Sequence, residues 1–366
     1  MTDERDDALA QARQEIDAID RQLQALIAER AAWAQKVGRI KQAEGRADFY
    51  RPGREAEILR EVAAGRHTPL TAATMRRLMR EIMAACRALE QPLAVAYLGP
   101  EGTYTEAAVY DHFGRSIAAR PQPSIEQIFR EVAAGNADFG VAPIENSSQG
   151  IVSSTLDQMV DSRLSICGEI QLGIHHQLMS ATTSLDAIRE IQAHGQALGQ
   201  CRNWLDVHLP DVPRKSVASN GVAARAAAED ESVAAIAGHF AASSYGLNVL
   251  ANNIENDPDN TTRFLVLGKQ QVARTGCDTT TIMVAIKNHP GALYRLLAPA
   301  AEAGVDLARI ESRPSHRGAW DYNFFIDLHG HIDDEPIQQT LALIEANAIL
   351  LKVLGAYPRP IDGPDG

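Results

Sequence analysis

Apolar or small side chains fall at Leu9, Ala12, Ile16, Ile19, Leu23, Leu26, Trp33, Val37 and Ile40, in steps of three and four apart from one gap. That spacing is one face of a helix. No Pro or Gly interrupts it before Gly38, and Gly45 can end it. The pattern predicts a helix over residues 6–43, roughly 55 Å long. A segment this short cannot bury such a stripe by itself, so an intertwined helical dimer is expected. Two more helices are predicted, Arg54–Ala64 ended by Gly65, and one capped at Thr68-Pro69 running to about Leu89.

Past Pro92 the period changes. Residues 93–98 read as a strand, followed by the turn Gly99–Thr105 and a helix from Glu106. Strand-like runs at 137–142, 164–179, 232–237 and 263–267 alternate with helical runs at 124–134, 152–161, 184–192, 200–207 and 220–229. This alternation predicts a mostly parallel sheet with helices on both faces. The count suits two small lobes with a cleft, residues 175–250 forming the second and the last strand returning to the first. After a linker at 276–279, strands at 280–287, 305–313, 322–328 and 349–354 enclose helices ending near Ala303 and Asn347. That is the β-α-β-β-α-β order. The tail after Pro358 is rich in Pro and Gly.

A length of 366 residues points to two or three domains. A net charge of −12 argues against a nucleic-acid partner but not against a small anionic substrate. The four cysteines, Cys86, Cys167, Cys201 and Cys277, show no CxxC spacing, and free thiols in a reducing cytoplasm are expected. The charged N-terminus is no signal peptide. No apolar run of membrane-spanning length exists, so no membrane association is expected.

The candidate chemistry sits at breaks in these patterns. Arg30 fills the missing step of the first stripe, and a buried arginine is costly without an anion. Lys41 returns to nearly the same face three turns later. Arg13 lies roughly 25 Å the other way along the axis, within reach of the same pocket only from an antiparallel partner. In the second region, Asp138–Asn146 reads as a buried strand ending in the polar run Pro143–Gly150, at the end of the strand where ligands collect in open α/β sheets. Glu145-Asn146-Ser147, the stretch from His194 to Gln200-Cys201, and Asn260-Thr261-Thr262-Arg263-Phe264 could close on one cleft. The turn carrying Gly102 and Thr103 leads into a helix N-terminus, a ready anion site. His175-His176 lacks a third ligand at sensible spacing, so neither metal nor cofactor is expected.

The helices carrying "ARQEIDAID", "LIAERAAWAQKVGRIK" and "REAEIL" resemble the all-helical chorismate mutase domain. "GPEGTYTEAA", "PIENS", "SNGVAAR" and Thr262-Arg263-Phe264 after an Asn-rich turn resemble prephenate dehydratase. "GALY" and Glu311-Ser312-Arg313-Pro314 resemble the phenylalanine-binding pair of an ACT domain. The resemblance implies a multidomain chain: an all-α mutase domain (residues 1–91) paired as an intertwined homodimer, a two-lobed α/β periplasmic-binding-protein-like dehydratase domain (92–272), and an α+β ferredoxin-like ACT domain (278–358).

It implies a bifunctional enzyme that turns chorismate into prephenate, then prephenate into phenylpyruvate, under inhibition by phenylalanine. Arg13 of the partner, Arg30, Lys41, Arg54, Glu55, Cys86 and Glu90 would line the mutase pocket; Cys86 and Glu90 replace the usual serine and glutamine, and Arg51 stands where an aspartate is usual. Thr262 would donate the proton, Asn146 and Gln200 would orient the substrate, Arg263 would assist, and Phe264 would wall the pocket. Gly102, Thr103, Glu145 and Ser147 would bind substrate, and Ala193 replaces a serine found in some members. Asn288, Gly291, Ala292, Leu293, Glu311, Ser312 and Arg313 would hold phenylalanine. Two rivals remain: a dehydratase whose helical arm only dimerises, and a non-catalytic two-lobed binding protein.

Overall fold

In the computed structural model the described residues are 2–43, 50–287, 289–314 and 322–361. Helix α1 (Thr2–Ala43) is continuous, and α2 (Pro52–Ala64) and α3 (Ala72–Ala88) follow. The cap of α3 is Thr71, whose hydroxyl accepts from the Thr74 amide at 3.1 Å, rather than the expected Thr68-Pro69. The apolar stripe of α1 faces solvent in the single chain, with Leu26 62 % and Trp33 57 % exposed. Its period is therefore not explained by packing within one copy.

The next region holds two sheets. The first is built from β1 (Ala94–Leu98), β2 (Ala118–Gln122), β3 (Phe139–Asn146), β4 (Gly150–Ile151) and β5 (Ser165–Gly173), with α4 (Tyr104–Phe113), α5 (Ile125–Ala134) and α6 (Ser153–Asp161) between them. The second contains β6 (Gln177–Ser180), β7 (Glu190–His194), β8 (Arg214–Val217), β9 (Val233–Ala237) and β10 (Asn248–Ala251). Its helices are α7 (Gly195–Gln200), α8 (Arg202–His208), α9 (Asn220–Glu229) and α10 (His239–Tyr245). Strand β11 (Thr261–Gly268) returns to the first sheet, giving the orders β2-β1-β3-β11-β5 and β10-β6-β9-β7-β8.

Both sheets are mixed, not mostly parallel: β11 runs antiparallel to β3 and β5, and β6 antiparallel to β9 and β10. The reason is the double crossing between lobes. Strand β3 ends at the cleft, whereas β11 arrives from the other lobe and starts there. The same crossing splits the expected strand 164–179 into β5 and β6. The expected helix 184–192 is a single turn followed by β7. Leu185, Ile188 and Ile191 fall three apart and imitate a helix, but β7 lies between β8 and β9 and is apolar because both its faces are buried.

The C-terminal sheet comprises β12 (Asp278–Ile286), β13 (Leu307–Pro314), β14 (Tyr322–His329) and β15 (Leu350–Pro358), in the order β13-β14-β12-β15, with α11 (Ala292–Glu302) and α12 (Glu335–Asn347). Ile282, Val284, Ile326 and Leu328 face these helices. The opposite face carries Met283, Phe325, Leu354 and Tyr357, which join one core with Ile144, Ile166 and Leu265 of the first lobe. Contact there is close enough that a Cβ on Gly355 would stand 2.2 Å from the Ile166 carbonyl oxygen.

Candidate functional site

The cleft between the lobes is organised by β3 and β11. Asn146 sits opposite Thr262 in the ladder. Its Oδ1 accepts from the Ser148 amide at 3.1 Å, which fixes the orientation of the amide group. Nδ2 then donates to Thr262 Oγ1 at 2.8 Å and to Asn260 Oδ1 at 2.9 Å. Since the Thr262 oxygen accepts from Asn146, its own proton points elsewhere, and it has no acceptor among the described residues. Ser147 and Ser148 hydroxyls also donate to Asn260 Oδ1, at 3.3 and 3.2 Å.

Across the cleft, His176 connects two groups. Its Nε2 is 2.8 Å from Gln200 Oε1, so Nε2 carries the proton, and Nδ1 faces the Tyr104 hydroxyl at 2.9 Å. Burial pushes the His176 pKa down, which keeps the ring neutral. Glu255 accepts from His175 Nδ1 and the His176 amide, both at 2.8 Å. Burial works to raise the Glu255 pKa, but these hydrogen bonds outweigh it and leave the carboxyl below its usual range.

Gln200 and Asn260 line one cavity of about 370 Å³ with Ser148, Gly195, Gln196 and Glu255. The Gln200 Nε2 and Asn260 Nδ2 atoms are buried and have no hydrogen-bond partner. An unmade buried bond costs about 1–3 kcal/mol, so these two donors, on residues that line one cavity, are groups that a bound molecule's oxygens could satisfy. Tyr104 and Glu255 were not singled out from sequence; Asn260 was named only within its Asn-rich stretch, Ser148 only within the polar turn, and His176 only as an unsupported metal ligand.

Five expected substrate contacts fall elsewhere. Arg263 and Glu145 alternate with Thr262 and Asn146, so their side chains leave by the opposite face of the sheet, toward the C-terminal sheet. Phe264 is fully buried in the core with Val95, Tyr97 and Phe113 and walls no cleft. The Gly102 amide is already taken by Glu106 Oε2 at 2.6 Å. Thr103 caps α4, its hydroxyl accepting from the Glu106 amide at 3.4 Å.

In the helical region, Arg30 of α1 lies near Glu55 of α2, Lys41 of α1 lies near Glu90, and Cys86 is buried on α3. Burial raises the Glu55 pKa against the pull of Arg87, Arg80 and Arg30. Glu55 pairs with Arg87, a buried residue the sequence did not single out, whose Nη2 also donates to the Phe113 carbonyl at 2.8 Å. Burial likewise raises the Glu90 pKa against Lys41 and Arg87, and Glu90 Oε2 is buried without a partner. Arg54 is exposed and pairs with Glu57 at 3.0 Å. Arg13 is exposed far along α1, away from this cluster.

In the C-terminal sheet Gly291 (φ 77°) caps α11 and is followed by Ala292 and an exposed Leu293. Glu311, Ser312 and Arg313 lie on the edge strand β13, two strands from β12. Arg313 donates to Ser153 Oγ at 2.7 Å and to the Asp157 carboxylate at 2.9 Å, both on α6. Asn288 lies outside the described residues. Among the described residues, no hydrogen bond or ion pair joins Gly291–Leu293 to Glu311–Arg313.

Three family models match successive parts of the chain: chorismate mutase type II over residues 12–91, prephenate dehydratase over 95–272 and the ACT domain over 280–342. The bifunctional chorismate mutase/prephenate dehydratase of Stutzerimonas stutzeri is 49 % identical over 360 residues, which is 97 % of this chain and 99 % of the relative. The chain belongs to the bifunctional chorismate mutase–prephenate dehydratase family. Among solved structures, the prephenate dehydratase of Arthrobacter aurescens in complex with L-Phe is 36 % identical, covering 74 % of this chain and 92 % of that one, with a TM-score of 0.69. GqqA, described as a novel type of quorum quenching acylase, is 26 % identical, covering 73 % of this chain and 98 % of its own, with a TM-score of 0.68. Fold alone thus fits more than one chemistry. The helical region and the identity across the full length distinguish this family member. Among the described residues, no helix is long and apolar enough to cross a membrane.

Proposed function

We propose that the cleft between the lobes decarboxylates and dehydrates prephenate, with Thr262 as the proton donor. The observation that carries this is the Asn146–Thr262 hydrogen bond of 2.8 Å. It leaves the threonine proton free to point away from Asn146, whose amide also donates to Asn260, a residue that lines the cavity with Gln200. The substrate carboxylates would accept from Gln200 Nε2 and Asn260 Nδ2. Loss of carbon dioxide sends the carbon–carbon bonding pair into the ring as the ring C–O bond breaks. Hydroxide leaves as water with the Thr262 proton, which solvent then restores. General-acid assistance is worth about 10²–10⁴-fold. Thr262→Val should cut phenylpyruvate formation by roughly that factor while prephenate still forms from chorismate; a variant that still dehydrates prephenate would remove Thr262 from the mechanism.

The helical region, residues 1–91 in this reading, would rearrange chorismate in a homodimer. Arg30 and Lys41 would hold the substrate carboxylates in the folded shape that the reaction needs, with Arg13 arriving from the partner copy. The exposed α1 stripe supports pairing, because burying each such side chain is worth about 1.5–3 kcal/mol. Residues 278–358 would bind phenylalanine between Gly291–Leu293 of one copy and Glu311–Arg313 of the other. The unpaired edge of β13 suits that side-by-side arrangement. Four free thiols fit a reducing cytoplasm.

A further inference from the structure

The ladder between β3 and β11 places Thr262 opposite Asn146 and, one step on, Arg263 opposite Glu145. The first pair faces the cleft and the second faces the ACT sheet. Arg263 Nη2 is 2.8 Å from Glu169 Oε2 on β5 and 2.5 Å from Asp327 Oδ2 on β14, and Nη1 is 3.9 Å from Glu145. Arg309 of β13 reaches Glu145 at 3.6 Å, Asp327 at 3.8 Å and Glu169 at 3.9 Å. Thr281 donates to the other Asp327 oxygen at 2.6 Å. Arg263 is 10 % exposed, Glu169 3 % and Asp327 7 % in their side chains.

We infer that Arg263, Glu145, Asp327 and Arg309 are positioning residues of the dehydratase, an ion cluster through which the ACT sheet sets the Asn146–Thr262 hydrogen bond. The inference rests on Thr262 and Asn146 acting on prephenate. Two members come from the ACT sheet, and the others from the first lobe. Breaking the buried Arg263–Asp327 pair leaves an uncompensated charge, so Arg263 must follow Asp327 when the ACT sheet moves, and the partly exposed Arg309–Glu145 pair adds a weaker tie. Thr262 and Asn146 are their immediate chain neighbours. The ladder shifts register between Arg263 and Phe264, so the cleft end of β11 is set apart from the regular strand below it. A misplacement of about 1 Å at reacting groups can cost about 10²-fold. Arg309 is also two residues from Glu311, so a ligand at Glu311–Arg313 acts on the strand that holds the cluster.

The test uses the full chain carrying Asp327→Asn, Arg309→Gln or Arg309→Lys. Each is assayed with prephenate, with chorismate and with added phenylalanine, alongside thermal unfolding. The expected result for the first two is a change of about 3- to 30-fold in dehydratase kcat and in the half-inhibiting phenylalanine concentration. KM for prephenate and the mutase rate should be near those of the parent, and Arg309→Lys should recover most of the response. Should Asp327→Asn fail to fold, the half-exposed Arg309 pair carries the test alone. Unchanged kcat and phenylalanine response, or a loss of thermal stability alone, would overturn the inference. If Thr262→Val keeps its dehydratase rate, the reading beneath it fails; if Thr262→Val is inactive while the cluster variants behave as the parent, only the cluster's role fails.

Discussion

Glu90 shows how one side chain can set the conditions of a reaction. Its Oε2 is buried without a partner, and burial raises its pKa above the usual carboxyl range. In the proposed mutase site the protonated form would donate to the ether oxygen of chorismate, whereas the ionised form would repel it. Mutase kcat/KM should therefore fall as pH rises through the raised Glu90 pKa, and Glu90→Gln should flatten that limb. A profile unchanged by the substitution would exclude the role. In the other site, Gln200→Ala should lower dehydratase kcat/KM by roughly 5- to 150-fold, the equivalent of a lost buried donor; steady-state kinetics with prephenate checks it. The turns that carry Thr262 and Asn146 were legible from sequence as polar breaks at the end of an apolar run, whereas the roles expected of the two residues came from the family resemblance. Arg263 was misplaced because the next residue of a strand points the other way, and only the sheet that covers that face shows what it meets.

At the level of elements, α1 carries the strongest sequence signal and the least packing within one chain. The stripe at Leu9, Ile16, Leu23, Leu26, Trp33 and Ile40 is exposed, and Arg13 is remote from Arg30 on the same helix. Leu23→Asp with Leu26→Asp should shift the sedimenting species toward the monomer. Mutase activity should drop sharply and dehydratase turnover of supplied prephenate should persist. A double variant with the parent's mass and mutase rate would show that α1 does not pair copies. Gly38 adds a second condition, since a Cβ there would lie 2.8 Å from Glu90 Cγ. Elements whose apolar period comes from burial on both faces were the ones misread, as residues 184–192 show. Short strands such as β2, β8 and β10 left no period long enough to detect.

Across the whole molecule, the ACT sheet shares a core with the first lobe, which makes it part of the dehydratase's packing. Gly355→Val would drive a side chain into the Ile166 backbone, 2.2 Å from the Cβ position. The variant should unfold at lower temperature and lose its response to phenylalanine before it loses mutase activity. The order of the three regions was legible along the chain, but the core that the ACT sheet shares with the first lobe was not, because it joins residues as far apart as Ala96 and Tyr357. The most direct measurement is a chorismate assay on the purified protein, following prephenate and phenylpyruvate separately, with and without phenylalanine. The account predicts that both products form in sequence and that phenylalanine suppresses the second. Prephenate that accumulates without conversion would contradict the cleft assignment, and chorismate left untouched beside dehydrated prephenate would contradict the helical one.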